Sequence, residues 1–518
     1  METYKELLKS EIVEFRKNGH RFLDGELTVP EFKAKSGGMG VYAQKGGKTF
    51  MIRLKTPSGI ITKEHMRLIQ SYVKKYNLER IHITTRQAVQ LHDLDIDAVC
   101  DIMHDAIDHD LFTRGGGGNF PRNVSMSPLA GVEKGEVFDV TPYALLIGDY
   151  FTSNASTYHL PRKLKVAFSS DLKDSGCATI DDVGFMAVEK DGEAYFKLYL
   201  AGGLGNAPAI SLVYPDLIRP SEVLYYVEAM VQLFMEHGNY ENKMKARTRF
   251  IPREMGEQEF LECYRNYVEQ VKKKEEFKEI TPVIEHFEEW ESELDDYINV
   301  IPQKQKGRYS VMLHPVCGQL SSKDYDTIVD FVNTHDDENV EIRLSMHEDM
   351  YLRNLTKEMV VELHELLPEL IDKMNIEMSV SCVGVPTCQI GILQSQSLCQ
   401  NIIKVVKEAG VDMKLLPRVY ISGCPNSCAR HQVSQLGFVG RKKKVNDTLE
   451  EVFELYIGGD VSKTNTRLGE SLGTMLVREI PSFIVDLAKM LEENNVSYEQ
   501  FIIENKESFQ NLASNYLV

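Results

Sequence analysis

Two short cysteine pairs carry the plainest chemistry in the chain: Cys382-Val-Gly-Val-Pro-Thr-Cys388 and Cys424-Pro-Asn-Ser-Cys428. Thiolates are soft metal ligands, and the Gly, Pro and Asn between them keep each loop tight. Four thiolates converging on one cube can hold a four-iron cluster, with each loop supplying two. Structural zinc is the alternative, but its ligand pairs are usually separated by roughly two to four residues, so the gap between Cys382 and Cys388 fits it less well. The remaining cysteines, Cys100, Cys177, Cys263, Cys317 and Cys399, are scattered and read as buried or incidental thiols. An odd total of 9 in a chain without a secretory pattern argues against a disulfide framework.

The elements that must position these loops run along the chain twice. Phe50 to Lys63 is a short alternating strand, a Pro/Gly turn and a helix start; Tyr309 to Lys323 echoes it, with Gly59 against Gly318. The helix after the first copy has apolar positions Met66, Ile69, Val73 and Tyr76, and the second has Tyr325, Ile328, Val329 and Val332. Strands follow at Ile81–Thr84 and Val340–Leu344. Further on, Leu160-Pro161-Arg162 recurs as Leu416-Pro417-Arg418 and Gly202-Gly203 as Gly458-Gly459, at one shared offset. Between the copies, Arg253 to Asp296 is rich in Glu and Lys at helical spacing and reads as a charged helical connector. This order predicts an α+β architecture about a pseudo-two-fold axis. Gly115–Gly118 and Gly202–Gly205 lack the context of a phosphate loop or dinucleotide site and read as tight turns.

The chain has 518 residues, 43% hydrophobic and 26% charged, with a formal net charge of -18. That length suits about three domains. No apolar run reaches the roughly 20 residues of a membrane span, and the charged N-terminal stretch does not resemble a signal peptide, so the expected location is cytoplasmic. The negative balance argues against nucleic-acid or anionic-membrane binding. It leaves room for an anionic substrate. Exposed charges are screened over about 8 Å, whereas a cation touching a substrate in a partly dry site is worth about 4 kcal/mol.

A Cys-x5-Cys pair followed by Gly-Cys-Pro-Asn-x-Cys resembles the ligand signature of the nitrite/sulfite reductases, and within them the assimilatory-type ferredoxin sulfite reductases. The resemblance spans roughly Lys48 to Asn465. It implies two cofactors, sirohaem and a [4Fe-4S] cluster held by Cys382, Cys388, Cys424 and Cys428, with Cys428 bridging the cluster to the sirohaem iron and Asn426 beside the macrocycle. Ile83 to His92 resembles the family's Thr-x-Arg-Gln segment. His82, Thr84, Thr85, Arg86, Gln90, His92 and Arg162 are thus implied to hold sirohaem carboxylates, for which arginine is the strongest partner. His82 stands where the sulfite reductases often have arginine.

The resemblance also implies a substrate-facing quartet of Arg53, Arg122, Lys163 and Lys165. A period-two strand would put Lys163 and Lys165 on one face with Leu164 and Val166 on the other, and Arg53 opposite Phe50, Ile52 and Leu54. The implied fold is internally duplicated, with ferredoxin-like half-domains plus two sirohaem-binding α/β domains. Expected boundaries are 1–110 for the N-terminal segment and first half-domain, 111–252 for the first sirohaem domain, 253–300 for the connector, 301–372 for the second half-domain and 373–518 for the second sirohaem domain. The implied activity is six-electron reduction of sulfite to sulfide, favoured because Lys165 resembles the sulfite-reducing members. Nitrite reduction to ammonia is the alternative, and a cobalamin-pathway oxygenase the remoter one. Without a flavin or nicotinamide domain, electrons must come from an external donor, most simply ferredoxin. The basic run Arg441–Lys444 reads as a solvated loop rather than a docking patch for an acidic donor.

Overall fold

In the computed structural model, residues 2–171, 173–277, 279–285, 287–336 and 339–518 are described. The repeat visible in the sequence is a repeat of local structure. Strand Phe50–Leu54, a turn at Pro57–Gly59, helix Lys63–Lys75, strands Arg80–Ile83 and Val89–Leu94, and helix Ile96–Asp108 form the first copy. Strand Tyr309–Leu313, the turn Val316–Gly318, helix Ser322–Thr334, strands Glu341–Leu344 and Met350–Leu355, and helix Lys357–Leu366 form the second.

The same physical devices recur in both. Ser58 (φ 49°) and Cys317 (φ 57°) both sit in the left-handed region just before Gly59 and Gly318. Helix starts are capped at matching places: Thr62 and Ser321 accept from the backbone N–H three residues on, as do Asp95 and Thr356. Thr84 Oγ1 accepts from the N–H groups of Arg86 and Ala88, and Ser345 Oγ from those of His347 and Asp349.

The chain divides into two compact units. One comprises Met1–Gly203, Ala209–Leu313 and Leu320–Pro368; the other comprises Leu204–Pro208, His314–Gln319 and Glu369–Val518. The half-domain sheets run, in spatial order, Val41–Ala43, Phe50–Leu54, Val89–Leu94, Arg80–Ile83, Gln319–Ser321, and Val300–Pro302, Tyr309–Leu313, Met350–Leu355, Glu341–Leu344, Ile60–Ile61. Each therefore ends on a strand borrowed from the other copy, as in the Ile342↔Ile61 and Arg343↔Ile60 pairs.

A second type of sheet occurs once in each unit. In the first unit Ser125–Met126, Val166–Ser169 and Val183–Lys190 pair in parallel, followed by antiparallel Glu193–Leu200 and Leu212–Ile218. In the second unit Val380–Ser381, Tyr420–Ser422 and Leu436–Val445 are parallel, followed by antiparallel Thr448–Ile457 and Glu470–Leu476. The parallel edge matters for function. Lys165 and Asp181 lie just before the parallel strands Val166–Ser169 and Val183–Lys190, and Cys382 and Cys424 lie just after Val380–Ser381 and Tyr420–Ser422. Behind the first sheet, Phe168 and Phe185 stack at 4.6 Å, with Phe196 edge-on to both.

Three expectations from sequence need correction. The helical connector ends at Lys274, and the described residues from Glu275 to Asn299 form no helix. Their charge is spread without an apolar stripe to pack. Lys163 and Lys165 precede rather than occupy a strand: an isolated bridge, Pro121↔Leu164, holds this stretch and the strand begins at Val166. Alternation survives there, because Leu164 and Val166 are buried while both lysines are half-buried. The run Arg441–Lys444 is a strand, not a loop. Its partners across the hairpin include Glu451 and Glu450, and Arg441 reaches along the sheet to Glu454, opposite Val439, at 2.5 Å. Cross-strand carboxylates thus offset much of its charge.

Candidate active site and cysteine loops

The first unit sets two of the predicted cations, Arg86 and Lys165, against a buried acidic pair, Asp181 and Asp182, at the start of strand Val183–Lys190. Asp181 receives Arg86 Nη1 and lies 3.5 Å from Lys165 Nζ. Burial pushes its carboxyl up, but Arg86 and Lys165 outweigh this and hold it below the ordinary range. Asp182 accepts from the Lys165 N–H at 2.8 Å, from Arg247 Nη2 at 2.8 Å and from the Thr248 hydroxyl. Burial, opposed by Asp181, lowers the Lys165 ammonium, which keeps 29% of its side-chain surface exposed. A part-exposed lysine of lowered pKa can both bind an anion and release a proton.

Arg53 points from its strand, opposite the buried Phe50, Ile52 and Leu54, to the carbonyl of Gly116. Arg122 spends its guanidinium on the glycine turn, donating to the carbonyls of Gly117 (2.7 Å), Gly118 (2.8 Å) and Phe120 (3.1 Å). The glycines are required there: a Cβ at Gly117 would lie 2.3 Å from the Gly37 carbonyl, and Gly115 and Gly118 have positive φ. Burial presses on Arg122; Tyr42 offsets part of that, while Arg53, Arg247 and Arg162 add like charge. Arg162 is likewise lowered by burial and then by Arg247. The structure thus brings Arg53, Arg162 and Arg247 together around Arg122, and Lys165 joins through Asp182, which Arg247 also binds. Lys163 is half-buried two residues before Lys165.

The Thr-x-Arg-Gln segment is partly internal. Arg86 donates Nε to Asn123 O (2.9 Å), Nη2 to Val166 O (2.9 Å) and Nη1 to Asp181, so its guanidinium is engaged within the protein. Thr84 caps its own turn, and Thr85 is half-buried beside it. His82 and His92 are buried with ring centroids 5.9 Å apart. With the Gln90 amide assigned from its surroundings, its oxygen accepts from Arg53 Nε at 3.0 Å and its nitrogen donates to His92 Nε2 at 3.2 Å. Burial, then Arg80 and Arg53, push His92 down to about 3, so its imidazole is neutral and carries its proton on Nδ1. That buried Nδ1 has no hydrogen-bond partner among the described residues, and neither has Arg247 Nε.

Lys55 is a further cation that the sequence reading did not single out. Burial, and then the charge of Arg122, push it down to about 8. An unfolded lysine titrates near 10.4. Between those values the unfolded chain binds more protons, so stability rises with pH across that window. Lys55→Met is expected to abolish that rise and to gain up to about 3 kcal/mol below pH 8, as read from denaturation midpoints between pH 7 and 10.

In the second unit, the two cysteine loops flank the ends of the parallel strands Val380–Ser381 and Tyr420–Ser422. Cys382 follows one strand and Cys424 the other, which explains how pairs distant in sequence become neighbours. Cys428 is exposed, Cys424 is buried, and Cys382 and Cys388 are intermediate. Burial, then Cys428, push the Cys382 thiol up to about 12, and burial raises Cys424, with Cys428 and Cys388 adding to it. The sulfurs therefore lie within electrostatic reach of one another, and iron must displace their protons. Donors point at them: Gly423 N–H at 3.2 Å from Cys382 Sγ, and Asn426 Nδ2 at 3.4 Å from Cys424 Sγ. Gly205 meets the Cys424 loop from the same unit; its N–H and C=O pair with the Gln432 amide at 2.8 and 3.0 Å.

Comparison with known proteins now bears on this arrangement. The family described as "Nitrite and sulphite reductase 4Fe-4S domain" matches residues 117–272 and 374–499, and its ferredoxin-like half domain matches 42–108. The chain belongs to the nitrite and sulfite reductase family. Ferredoxin–nitrite reductase of Synechococcus elongatus is 27% identical over 82% of each chain. Sulfite reductase [ferredoxin] 1 of Mycolicibacterium paratuberculosis is 27% identical over 80% of this chain and 74% of that one. The structure of Mycobacterium tuberculosis NirA protein superposes with a TM-score of 0.77 at 21% identity, covering 94% of this chain and 92% of NirA. The duplicated fold is thereby the family's own.

This reductase is an oxidoreductase whose family cofactors are sirohaem and a [4Fe-4S] cluster, and its residues fit both. Sirohaem is rich in carboxylates. The unsatisfied His92 Nδ1 and Arg247 Nε are buried donors of the type it needs. For the cluster, four thiols, with N–H groups directed at the sulfurs of Cys382 and Cys424, fit a cube. Among the described residues no three His, Cys, Asp or Glu side chains gather closely enough for a single ion. Sequence reasoning missed Arg247, Arg249 (buried within electrostatic reach of Arg247 and Asp182), Lys55 and the Asp181-Asp182 pair. The signal for the first two was Lys245-Ala246-Arg247-Thr248-Arg249, three cations in five residues with no acid among them. No described helix is long and apolar enough to cross a membrane.

Proposed function

We propose that this reductase carries out the six-electron reduction of sulfite to sulfide, with electrons from an external protein donor, most simply ferredoxin. The observation that carries the sulfite reading is Lys165, a lysine seated against Asp181 among buried arginines. Sulfite carries up to two negative charges and nitrite one, so an additional cation favours sulfite. When bound, sirohaem supplies a reducible iron and the [4Fe-4S] cluster supplies electrons to it.

The chain's own residues do the rest. Lys163 and Lys165 bind and orient the substrate oxygens, while Arg53 and Arg122, whose guanidinium groups are bonded to Gly116, Gln90 and the glycine turn, lend charge that stabilises the negative charge building up there. Lys165 Nζ, lowered by burial, is suited to hand a proton to an oxygen that leaves as water. His92, Arg162, Arg247, His82, Thr84 and Thr85 would hold sirohaem carboxylates. Arg86 would act at one remove, by fixing Asp181 and through it Lys165. Cys382, Cys388, Cys424 and Cys428 would hold the cluster. Cys428, the exposed residue of the four, would be the one suited to reach the sirohaem.

A second reading, nitrite to ammonia, is supported by the names of several relatives, including the Synechococcus elongatus protein. Anaerobic steady-state assays with reduced viologen and each anion separate the two. A higher kcat/KM for sulfite is expected; a clear preference for nitrite would reverse the assignment.

A further inference from the structure

One side chain touches both cysteine loops without being a ligand. Ser395 is the first residue of helix Ser395–Ala409 and is fully buried. Its Oγ lies 3.3 Å from Cys382 Sγ and donates to the Cys382 carbonyl at 2.6 Å. Glycines make room for it on both sides. A Cβ on Gly384, inside the first cysteine loop, would lie 2.3 Å from this oxygen, and one on Gly423, next to Cys424, would lie 3.1 Å away. The segment before the helix is stitched to the same loops: Val385 N–H donates to Leu393 O at 3.1 Å, and Leu393 N–H to Gly423 O at 3.0 Å. Ser395 is thus held at one sulfur with little freedom to leave.

We infer that Ser395 tunes the cluster, its hydroxyl donating to the Cys382 sulfur and raising the reduction potential; this rests on the reading that Cys382, Cys388, Cys424 and Cys428 are the cluster ligands. The chemistry follows from which partner has a proton. A Cys382 thiol can donate to Oγ, whose single hydrogen then goes to the carbonyl. A cluster-bound thiolate has no proton and is a charged acceptor, so the one hydroxyl hydrogen turns from the neutral carbonyl to Sγ, both of which lie within reach of Oγ. Negative charge on the cluster sulfurs grows on reduction, and a hydrogen bond to a charged acceptor is the stronger one, so the reduced state gains more. The helix N-terminus, with positive partial charge and no acidic residue in its first turn, acts with the same sign.

The test uses the full-length holoenzyme, prepared anaerobically, with the cluster potential followed by EPR-monitored redox titration. Ser395→Ala is expected to retain its iron and to disfavour cluster reduction by about tenfold, roughly 59 mV for a one-electron couple. Ser395→Gly should shift the same way. Ser397→Ala, an exposed serine in the same turn bonded to Gln394, should match the wild type. After exchange into D2O, pulsed EPR of the reduced cluster should show one deuteron coupling fewer in Ser395→Ala. An unchanged or raised potential overturns the inference, and loss of iron from both Ser395 variants would assign the hydroxyl a structural role and overturn it too. A cluster lost in Cys388→Ser but unmoved in Ser395→Ala would overturn the inference alone. A cluster that survives Cys388→Ser unchanged would remove the ligand assignment as well.

Discussion

Cys428→Ser enzyme isolated without oxygen is expected to fold normally, yet to lose the spectroscopic coupling between its two cofactors and more than about a hundredfold of its turnover. Folding should survive because the loop is set by its backbone. Ser427 (φ 54°) and Arg430 (φ 60°) make the left-handed bends on either side of the cysteine, and neither depends on the sulfur. The neighbouring Ser422 hydroxyl also accepts from the Ala429 N–H, and His431 Nδ1 lies 3.0 Å from that hydroxyl, so the loop has anchors of its own. What the substitution removes is a soft, exposed thiolate, for which a serine oxygen is a poor substitute on iron. Iron content, visible absorption and EPR, measured beside turnover, separate loss of the cluster from loss of the bridge. Normal coupling and full activity in this variant would end the bridging assignment.

Lys165→Asn is expected to lower sulfite turnover by about a hundredfold, the scale of a lost donor to developing oxyanion charge, and nitrite turnover by less. The asymmetry follows from charge, since the more highly charged anion loses more when a cation is removed. Asparagine keeps a hydrogen-bond donor but on a much shorter side chain, and it has neither the charge nor a proton to give. Asp181 would still be held by Arg86, so the surrounding fold should stay in place. Parallel kcat and KM measurements on both anions test this. Equal losses would remove the reason for preferring sulfite, because they would show Lys165 serving any bound anion alike.

The cysteine loops were legible because each pair is local in sequence and the loop residues between the sulfurs advertise tight turns. Repetition of the strand, turn and helix pattern also revealed the duplicated fold, since the same caps and left-handed turns were written twice. Arg53 was named by the family resemblance, and alternation put it opposite Phe50, Ile52 and Leu54, as the strand has it. Lys163 and Lys165 kept that alternation without a strand, because a single bridge to Pro121 fixes Leu164 as a strand neighbour would. The Asp181-Asp182 pair and Arg247 were not legible, as their meaning lies in hydrogen bonds across 65 and 95 residues of chain. Arg86 shows the limit of motif reading. Its segment gave its address, but only the structure shows its guanidinium occupied by Asn123, Val166 and Asp181. Beyond Lys274 the charge pattern was compatible with a helix, and only packing partners could have decided against it.

The borrowed strands Ile60–Ile61 and Gln319–Ser321 carry a consequence for how the molecule is made. Translation completes the first half-domain's own four strands long before residue 319 emerges, leaving a raw sheet margin in the interim. Until the later copy arrives, that margin is open to any other extended chain, including another nascent molecule of the same kind. Expressing the two halves as separate polypeptides should therefore give two sticky fragments rather than two stable domains, and mixing them early should rescue both.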